Sequence, residues 1–505
     1  MRKLLLLALA TGALHAALIR GTVVENQTGR PLARALVVVR PVTGTAAEEL
    51  SARTNVYGAF EFPPVAGGAY LLTASRRAFA PIQYGQKRWN SAGVPVLLED
   101  SAATYLTIRL PRYGAVAGTV VDENEVGLPE HDVVVYTNTR PPKLMARGKT
   151  DDRGMYRISG LDPGSYLVRT TAKLYDDGGY LPTFGKETAT VDQAYAVEVT
   201  LDEQVEKADI RPLPGRLFTV AGQVISPGQT PFTVTMVSDT GSVSTTSDAR
   251  GNFQLPPAAP GQYEFYAQTA GVDYRTGKPL AGFQPVALDR DRSDISFAAN
   301  FLPEVLLSFE EGQNGAIDTK GMQVMARRKD LSGEGIPEVL RPATNGRVSL
   351  LPGRWELMLA ATPQYYVGGF AGPGPASLER GRADGWNEIV SAGRFSQVKF
   401  VLSSSPGAVH GMVKGSGSDV VAGAPVFLES YDLEKQRRLT DLRVTRTDMQ
   451  GRYQFAGLAP GTYRVLSSFE YQMPDSMSIS GAAPKILIVE AGRDAAQDLD
   501  LYVLR

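Results

Sequence analysis

Two short phrases recur along this chain at a fixed spacing, and that repetition constrains the fold more than any other feature. The first phrase is Thr-Asp-x-x-Gly-x-Tyr or a close variant, with its glycine at Gly58, Gly154, Gly251 and Gly451. The second is Pro-Gly-x-Tyr or a close variant, and its tyrosine follows that glycine by 12 residues in all four copies, at Tyr70, Tyr166, Tyr263 and Tyr463. A shortened fifth copy pairs Gly346 with Trp355.

The aromatic ends of the copies divide the chain into units of nearly equal length. They stand at residues 70, 166, 263, 355 and 463, which gives periods of 96, 97, 92 and 108 residues. Units of that length have the size of one small domain. We therefore predict a leader at 1–17 followed by five tandem domains at 18–112, 113–213, 214–302, 303–405 and 406–505.

The residue types within the phrases are those of turns and strand starts. The Asp or Asn of the first phrase can accept backbone N–H bonds from residues just ahead, and the glycine can take a positive φ. The Pro and Gly of the second phrase fit positions i+1 and i+2 of a type II turn. Apolar residues alternate after the first turn, as in Phe60 and Phe62 or Tyr453 and Phe455, which predicts strands with one buried face. A metal-binding role for the repeated acidic residues is disfavoured, because no third acidic partner accompanies them.

The composition favours the same all-β interpretation. The chain has 52 Gly and 33 Pro among 505 residues, together about 17% against about 12% in average proteins. Almost no segment has a 3.6-residue apolar period, so little helix is expected. About seven short strands per unit is the pattern of a β-sandwich. We predict a tandem array of five seven-stranded Greek-key β-sandwich domains.

Three motifs resemble those of the carboxypeptidase regulatory-like domain. These are the two repeated phrases and a Gly-x-Val start followed by an acidic residue, as in Gly21-Thr-Val-Val-Glu25 and Gly118-Thr-Val-Val-Asp122. The second and fifth copies match best and the fourth matches least. The resemblance implies a transthyretin-like (prealbumin-like) sandwich, also classed with carbohydrate-binding-like folds, and a non-catalytic accessory, adhesion or carbohydrate-contacting role. Family members are often fused to peptidases or outer-membrane receptors, and neither partner is found in this sequence.

The charged and reactive residues exclude several classes of function. Lys plus Arg is 52 against 53 Asp plus Glu, so the basic excess that a nucleic-acid binder needs is absent. The chain has no Cys, which excludes disulfides, thiolate metal sites and thiol catalysis. His131 and His410 stand alone, without metal-ligand spacing. The segment Tyr274 to Pro279 lacks the Ser or Thr of a phosphate-binding loop. We predict no enzyme activity, no cofactor and no metal.

The N-terminus has the pattern of a bacterial export signal. Arg2 and Lys3 precede an apolar run at 4–14, and the small residues Ala16 and Ala17 suit cleavage. An uncleaved N-terminal anchor is the alternative, although the run is short for a membrane span. We predict a secreted, periplasmic or cell-surface protein without a transmembrane segment after signal cleavage.

Each copy also inserts a loop with glycines and aromatic residues before its penultimate strand. The candidate ligand-contact residues in these loops are Tyr84, Trp89, Tyr180, Phe184, Tyr365, Tyr366, Phe370 and Trp386. Such rings either stack on sugars or grip a peptide, or they cover an open edge of the sandwich. The longest insertion runs from Tyr365 to Trp386, and ligand contact is expected there first. Binding requires solvent-facing rings, whereas covering requires buried ones.

These observations predict an exported, non-catalytic scaffold or adhesion protein. Its expected partner is a polysaccharide or an envelope protein surface, and no nucleic acid. The alternative is an accessory protein that docks an exported peptidase or an outer-membrane receptor.

Overall fold

The computed structural model describes residues 16–42, 49–99, 102–139, 142–176, 178–239, 241–273, 275, 277, 279–311, 317–343, 345–373, 385–417, 419–431 and 442–504. Regular structure in these ranges is almost entirely β-strand, which confirms the all-β prediction. Helix there is limited to one 3-10 turn, Val191–Gln193, and one α-helix, α1 (Ser476–Gly481). Across the same ranges, no helix combines the length and apolarity needed to cross a membrane. Residues 1–15 of the predicted leader lie outside the description.

The first unit is a sandwich of two sheets. Its strands are β1 (Ala16–Glu25), β2 (Leu36–Pro41), β3 (Leu50–Arg53), β4 (Ala59–Glu61), β5 (Val65–Ala66), β6 (Gly68–Arg76), β7 (Phe79–Gln83), β8 (Val96–Leu98) and β9 (Ala103–Leu110). In one sheet β1 lies antiparallel to β4 and parallel to β9. The other sheet has the order β3–β2–β6, with β7 and β8 pairing to β6. Ile19 and Phe60 of the first sheet pack against Val37 and Leu72 of the second.

The second and third units repeat this arrangement. The second has β10 (Gly114–Thr119), β11 (Asp132–Thr137), β12 (Leu144–Lys149), β13 (Met155–Leu161), β14 (Gly164–Thr170), β15 (Lys173–Tyr175), β16 (Gly178–Tyr180), β17 (Ala196–Val199) and β18 (Gln204–Val205). The third has β19 (Phe218–Ile225), β20 (Phe232–Ser238), β21 (Gly241–Thr246), β22 (Asn252–Ala258), β23 (Gly261–Thr269), β24 (Leu280–Leu288), β25 (Arg292–Ala298) and β26 (Asn300–Phe301). Their smaller sheets are β13–β10–β18 and β22–β19–β25, and their larger sheets are β12–β11–β14–β17 and β21–β20–β23–β24–β26.

The fourth and fifth units have the same two-sheet plan. The fourth has β27 (Glu304–Glu311), β28 (Gln323–Asp330), β29 (Gly333–Glu334), β30 (Glu338–Val339), β31 (Arg347–Ser349), β32 (Gly353–Ala360), β33 (Tyr366–Ala371), β34 (Asn387–Ser391) and β35 (Phe395–Ser403). The fifth has β36 (Gly407–Lys414), β37 (Pro425–Ser430), β38 (Arg443–Arg446), β39 (Arg452–Leu458), β40 (Gly461–Ser467), β41 (Lys485–Val489), β42 (Asp494–Ala496) and β43 (Leu499–Asp500). In every unit the first strand is antiparallel to the strand that follows the first phrase (β4, β13, β22, β31 or β39) and parallel to a strand near the end of the unit (β9, β18, β25, β35 or β42). This topology confirms the tandem array of β-sandwiches, in which short strands such as β5 and β26 add to the seven expected in a unit. Each unit has its own apolar core. The bounds of the five domains stay a prediction.

The turn chemistry of the first phrase is confirmed. In the fifth unit, Asp448 Oδ1 accepts from the backbone N–H groups of Gln450 at 2.9 Å and Arg452 at 2.8 Å, and Gly451 has a φ of 71°. In the first three units the side-chain oxygens of Asn55, Asp151 and Asp248 accept the equivalent bond from the backbone N–H two residues ahead. These acidic and amide side chains are therefore occupied in holding the turn that starts the fourth strand.

The hydroxyl that opens the first phrase has a second role, which is not evident in the sequence. Thr447 is fully buried. Its Oγ1 accepts from the N–H of Ala424 at 2.8 Å and donates to the carbonyl of Val421 at 2.6 Å. The equivalent buried hydroxyls are those of Thr54, Thr150 and Ser247. Each one fastens the phrase to the backbone just ahead of the second strand.

The type II turn predicted for the second phrase is wrong. Gly164, Gly261 and Gly461 do not adopt the left-handed conformation that the turn requires at position i+2. Each begins a strand (β14, β23 or β40) and already pairs with a residue of the neighbouring strand (β17, β24 or β41), and strand pairing requires extended backbone. The tyrosine two residues later closes the corner instead, since Tyr463 donates its hydroxyl to the carbonyl of Ala459 at 2.8 Å. The equivalent donors are Tyr70, Tyr166, Tyr263 and the indole of Trp355.

The glycine of the Gly-x-Val start allows the first and last strands to approach closely. A Cβ at Gly222 would lie 1.9 Å from the carbonyl oxygen of Ile295, and one at Gly411 would lie 1.9 Å from that of Gln497. Any side chain there would force the parallel strands apart.

Candidate ligand-contact site

All eight aromatic candidates lie in the connection between the strand that begins at the second phrase (β6, β14 or β32) and the strand that pairs with its first residues (β8, β17 or β34). In the second unit this connection lies over the sandwich. Tyr180 is 5% exposed and belongs to the core, and Phe184 is 3% exposed. Phe184 packs with Val134 and Leu167 on the outer face of the larger sheet, and the guanidinium of Arg169 lies 4.8 Å from the centre of its ring. These two rings therefore have the burial that a covering role requires.

The long insertion of the fourth unit also covers an edge where it is described. β33 pairs with β35 and so extends the smaller sheet by one strand. Tyr365 and Phe370 pack against the core, while Tyr366 is half-buried. Trp386 is 6% exposed, with the guanidinium of Arg327 4.5 Å from the ring centre. The burial of Trp386 is the placement expected of the covering alternative. Residues 374–384 of the insertion lie outside the described ranges.

The first unit differs, because its two candidate rings line an open cleft of about 710 Å³. The walls also include Ile82, Gln83, Gln86, Lys87, Arg88, Val94, Arg109, Leu201 and Asp202. Tyr84 packs against the core and remains partly exposed, and Trp89 is half-buried. Neither the Tyr84 hydroxyl nor the Trp89 indole N–H bonds to another described residue. Of the eight candidates, these two share one cavity with free polar groups.

The cleft carries positive charge that its surroundings do not neutralise. Lys87 and Arg109 are exposed, and neither has an ion-pair partner among the described residues. Arg88 is paired across a distance of 3.3 Å with the buried Glu470 of the fifth unit. Asp202 of the second unit forms part of the wall, and its carboxylate accepts from the backbone N–H of Arg112 at 2.6 Å. That hydrogen bond leaves the negative charge of Asp202 in place, so the lining has two unpaired cations, Lys87 and Arg109, against one carboxylate and a net positive charge.

Local hydrogen bonds hold the loop that carries Trp89 in one conformation. Ser91 Oγ accepts from the backbone N–H groups of Lys87 at 3.0 Å and Arg88 at 2.9 Å. The backbone N–H of Ala92 donates to the carbonyl of Phe469 at 2.8 Å, so the fifth unit supports the same loop. A loop fixed on two sides presents its ring without a large loss of conformational entropy on binding.

The histidines contribute no metal centre in the described part of the chain, where no group of three or more His, Asp or Glu could hold an ion. His131 is fully buried. Its Nδ1 lies 3.1 Å from the Tyr175 hydroxyl and its Nε2 lies 3.0 Å from the carbonyl of Thr171. Burial lowers the pKa of His131 to about 4. Both ring nitrogens are thus engaged by the protein, and His410 is exposed on the first strand of the fifth unit.

The repeated two-sheet topology defines this protein as a tandem array of transthyretin-like β-sandwiches. Residues 18–110 and 115–202 each match the family model of the carboxypeptidase regulatory-like domain. The first two units therefore match this family, which confirms for those two units the resemblance found in the motifs.

Several solved structures are similar to parts of the chain. The minor pilin GBS52 of Streptococcus agalactiae shares 16% identity over 41% of this chain and 99% of its own, with a TM-score of 0.24. The major pilin subunit BcpA of Bacillus cereus shares 11% over 77% of this chain and 99% of its own, with a TM-score of 0.14. The pilus adhesin SpaC of Lactobacillus rhamnosus GG shares 10% sequence identity over 73% of this chain and 56% of its own, with a TM-score of 0.18. Likeness at this level carries no functional argument. No curated protein matches the chain.

Proposed function

We propose that this chain is an exported, non-catalytic scaffold or adhesion protein of the bacterial cell envelope or surface, which contacts polysaccharide through the Trp89 cleft. The supporting observation is that Tyr84 and Trp89 line one open cavity with a free hydroxyl and a free indole N–H. Aromatic faces that carry a polar donor suit stacking on a sugar ring while hydrogen bonding to its hydroxyl groups. The unpaired charges of Lys87 and Arg109 beside them favour a glycan that carries negative groups.

The rest of the chain supports and positions the Trp89 cleft. The five sandwiches act as domains with bounds at 18–112, 113–213, 214–302, 303–405 and 406–505, which follow the repeated phrases. Contacts between domains position the cleft, since the loop of Trp89 bonds to the fifth domain through Ala92 and Phe469.

Trp89 and Trp386 offer a matched pair of variants for the test. Trp89→Ala removes a half-buried ring from the cleft, and Trp386→Ala removes a buried ring from the fourth unit. We expect Trp89→Ala to weaken retention on an immobilised acidic polysaccharide about tenfold, a loss of about 1.4 kcal/mol, with little change in melting temperature. Trp386→Ala should lower stability by about 3–5 kcal/mol and leave the retention of the folded protein unchanged.

A glycan array on the wild-type chain supplies the ligand for this comparison. If Trp89→Ala leaves polysaccharide retention unchanged, the cleft is not the polysaccharide-binding site. If the chain retains no glycan but captures an envelope protein, and that capture depends on Trp89, the partner of the cleft is a protein and not a polysaccharide.

A further inference from the structure

The fifth unit contacts the first unit, although the two units stand at opposite ends of the repeat. The backbone N–H of Ala92 donates to the carbonyl of Phe469 at 2.8 Å. A Cβ placed on Gly423 would lie 2.4 Å from the Cγ of Pro95, so the two surfaces are in close contact there. Consecutive units also contact one another, at Asn26 and Asp202, Arg169 and Asp239, Arg354 and Glu264, and Pro363 and Gly457. The described units therefore form a closed array and not an open thread.

One ion pair joins the loop of Trp89 to the fifth unit. Arg88 Nη2 lies 3.3 Å from Glu470 Oε2, and the two side chains differ in exposure, at 58% for Arg88 and 6% for Glu470. Glu470 Oε2 accepts no hydrogen bond from a described residue. No other described cation lies within ion-pair distance of this carboxylate. Glu470 is therefore buried where the two units meet, with Arg88 as its one described counter-charge.

The stability of this contact depends on the Arg88 guanidinium. A buried carboxylate is costly even when it is paired, and removing its partner leaves that cost uncompensated. The apolar cores of the first and fifth units are separate clusters, so the described residues of the two units share no common core. Domains without a large hydrophobic interface move relative to one another. Loss of the Arg88 charge should therefore separate the units, because Glu470 then regains water.

We propose that Arg88 and Glu470 form a latch, whose pairing closes the array and keeps the Trp89 cleft in its binding conformation. In the closed array the fifth unit bonds to Ala92 and so fixes the loop of Trp89 from outside. In the open array only bonds within the first unit hold the loop, and a ligand must then order it at a cost in entropy. Glu470 does not border the cleft and acts through Arg88, so it is a positioning residue. The inference rests on the proposed function for its ligand and adds how the site is controlled.

Small-angle X-ray scattering of the full chain measures whether the array is closed. Five units with a radius of gyration of about 13 Å each, placed as touching spheres, give about 30 Å in a ring and about 47 Å in a line. We expect the wild type near the smaller value and Arg88→Gln displaced toward the larger one. Arg88→Gln combined with Glu470→Gln should return to the wild-type value, because two neutral amides leave no buried charge. Arg20→Gln is the matched control, since Arg20 is 51% exposed and pairs with Glu61 at 3.0 Å within the first unit.

Hydrogen exchange locates the opening in the chain. Ala92 is 2% exposed and its amide is bonded across the contact, so this amide exchanges faster when the units separate. Arg88→Gln should accelerate its exchange about tenfold or more. The amides of β6 and β40 should keep their wild-type rates, which shows that the first and fifth units stay folded.

Retention on immobilised polygalacturonate tests whether closure controls the cleft. Arg88→Gln and the double variant have the same cleft residues and differ only at position 470, outside the cleft. We expect Arg88→Gln to be retained about threefold more weakly than the double variant, or weaker still. Trp89→Ala should lose retention without a change in the radius of gyration, which separates failure of the cleft from failure of the latch.

Three results would overturn parts of this inference. An unchanged radius of gyration and Ala92 exchange rate in Arg88→Gln would overturn the latch, as would a double variant as open as Arg88→Gln. Equal retention of an open Arg88→Gln and a closed double variant would overturn the control of the cleft by closure. A closed wild type that is not retained on polygalacturonate would remove the proposed polysaccharide contact and its control, and would leave the latch.

Discussion

Removal of the buried hydroxyl of Thr447 should lower the unfolding free energy of the fifth unit more than most changes of a single atom. Thr447→Val keeps the shape of the side chain and removes its two hydrogen bonds, at 2.8 Å to the Ala424 N–H and at 2.6 Å to the Val421 carbonyl. Both backbone groups would then be unpaired beside a fully buried side chain. At about 1–3 kcal/mol for each unpaired group, with partial relaxation, we expect a loss of about 2–4 kcal/mol.

Hydrogen exchange read by mass spectrometry can assign this loss to one unit of the chain. β40 lies between β37 and β41, so its amides exchange only when the fifth unit opens. The expected destabilisation should accelerate their exchange about 30- to 900-fold. The amides of β6, in the first unit, should keep their wild-type rates and serve as the internal control.

Thr447→Ser provides the matched variant, since it retains the hydroxyl and loses a methyl group. Ser247 holds the equivalent position in the third unit and accepts from the Phe232 N–H at 2.8 Å. We expect Thr447→Ser to cost about 1 kcal/mol. Equal acceleration in both variants, or less than a twofold effect of Thr447→Val, would refute the role of the hydroxyl.

Two further predictions concern pH and the contact between the first and fifth units. The folded pKa of His131, lowered to about 4 by burial, lies below the ordinary value of about 6.5, so the stability it contributes is present above pH 6.5 and is lost as the pH falls toward 4. At pH 4.5 the loss of unfolding free energy should be about 2–3 kcal/mol, measured as faster hydrogen exchange of the β11 amides. The control variant His410→Gln should show the same pH dependence as the wild type. An unchanged pH dependence in His131→Gln would contradict the assignment of this effect to His131. Because the Gln472 N–H donates to the Asn90 carbonyl, Asn90→Cys combined with Gln472→Cys should form a disulfide within one molecule of this cysteine-free chain, detected by mobility on a non-reducing gel. The single variant Asn90→Cys is the control, and cross-links that form only between molecules would mean that the two loops do not meet.

The features that could be predicted from the sequence are those that act over a few residues. Asp448 bonds to N–H groups two and four residues ahead, so the residue types of the phrase suffice to specify the turn. Alternation after the turn likewise identified Tyr453 and Phe455 as buried. The equal spacing of the phrases gave the number of units, because each copy carries the signals of one sandwich.

The candidate site was only partly accessible to the same reasoning. The sequence located aromatic residues in the loops that follow the second phrase but could not say which face of each ring meets solvent. Phe184 became buried because its loop turns back over a sheet, and Trp386 became buried beside Arg327. The cavity lined by Tyr266 and Arg328 had no signal in the sequence, since its walls come from the third and fourth units.

The sequence by itself determined that this chain forms five copies of one β-sandwich, because turn propensity and apolar alternation are local and are repeated five times. Tertiary structure alone decided why glycine stands at Gly222, where the last strand passes within 1.9 Å of a would-be Cβ, and why Thr447 must carry a hydroxyl for Ala424. It also decided which rings and charges stay free. Each of these depends on groups far apart in the chain, whose meeting is fixed by how the sheets pack and not by any local preference.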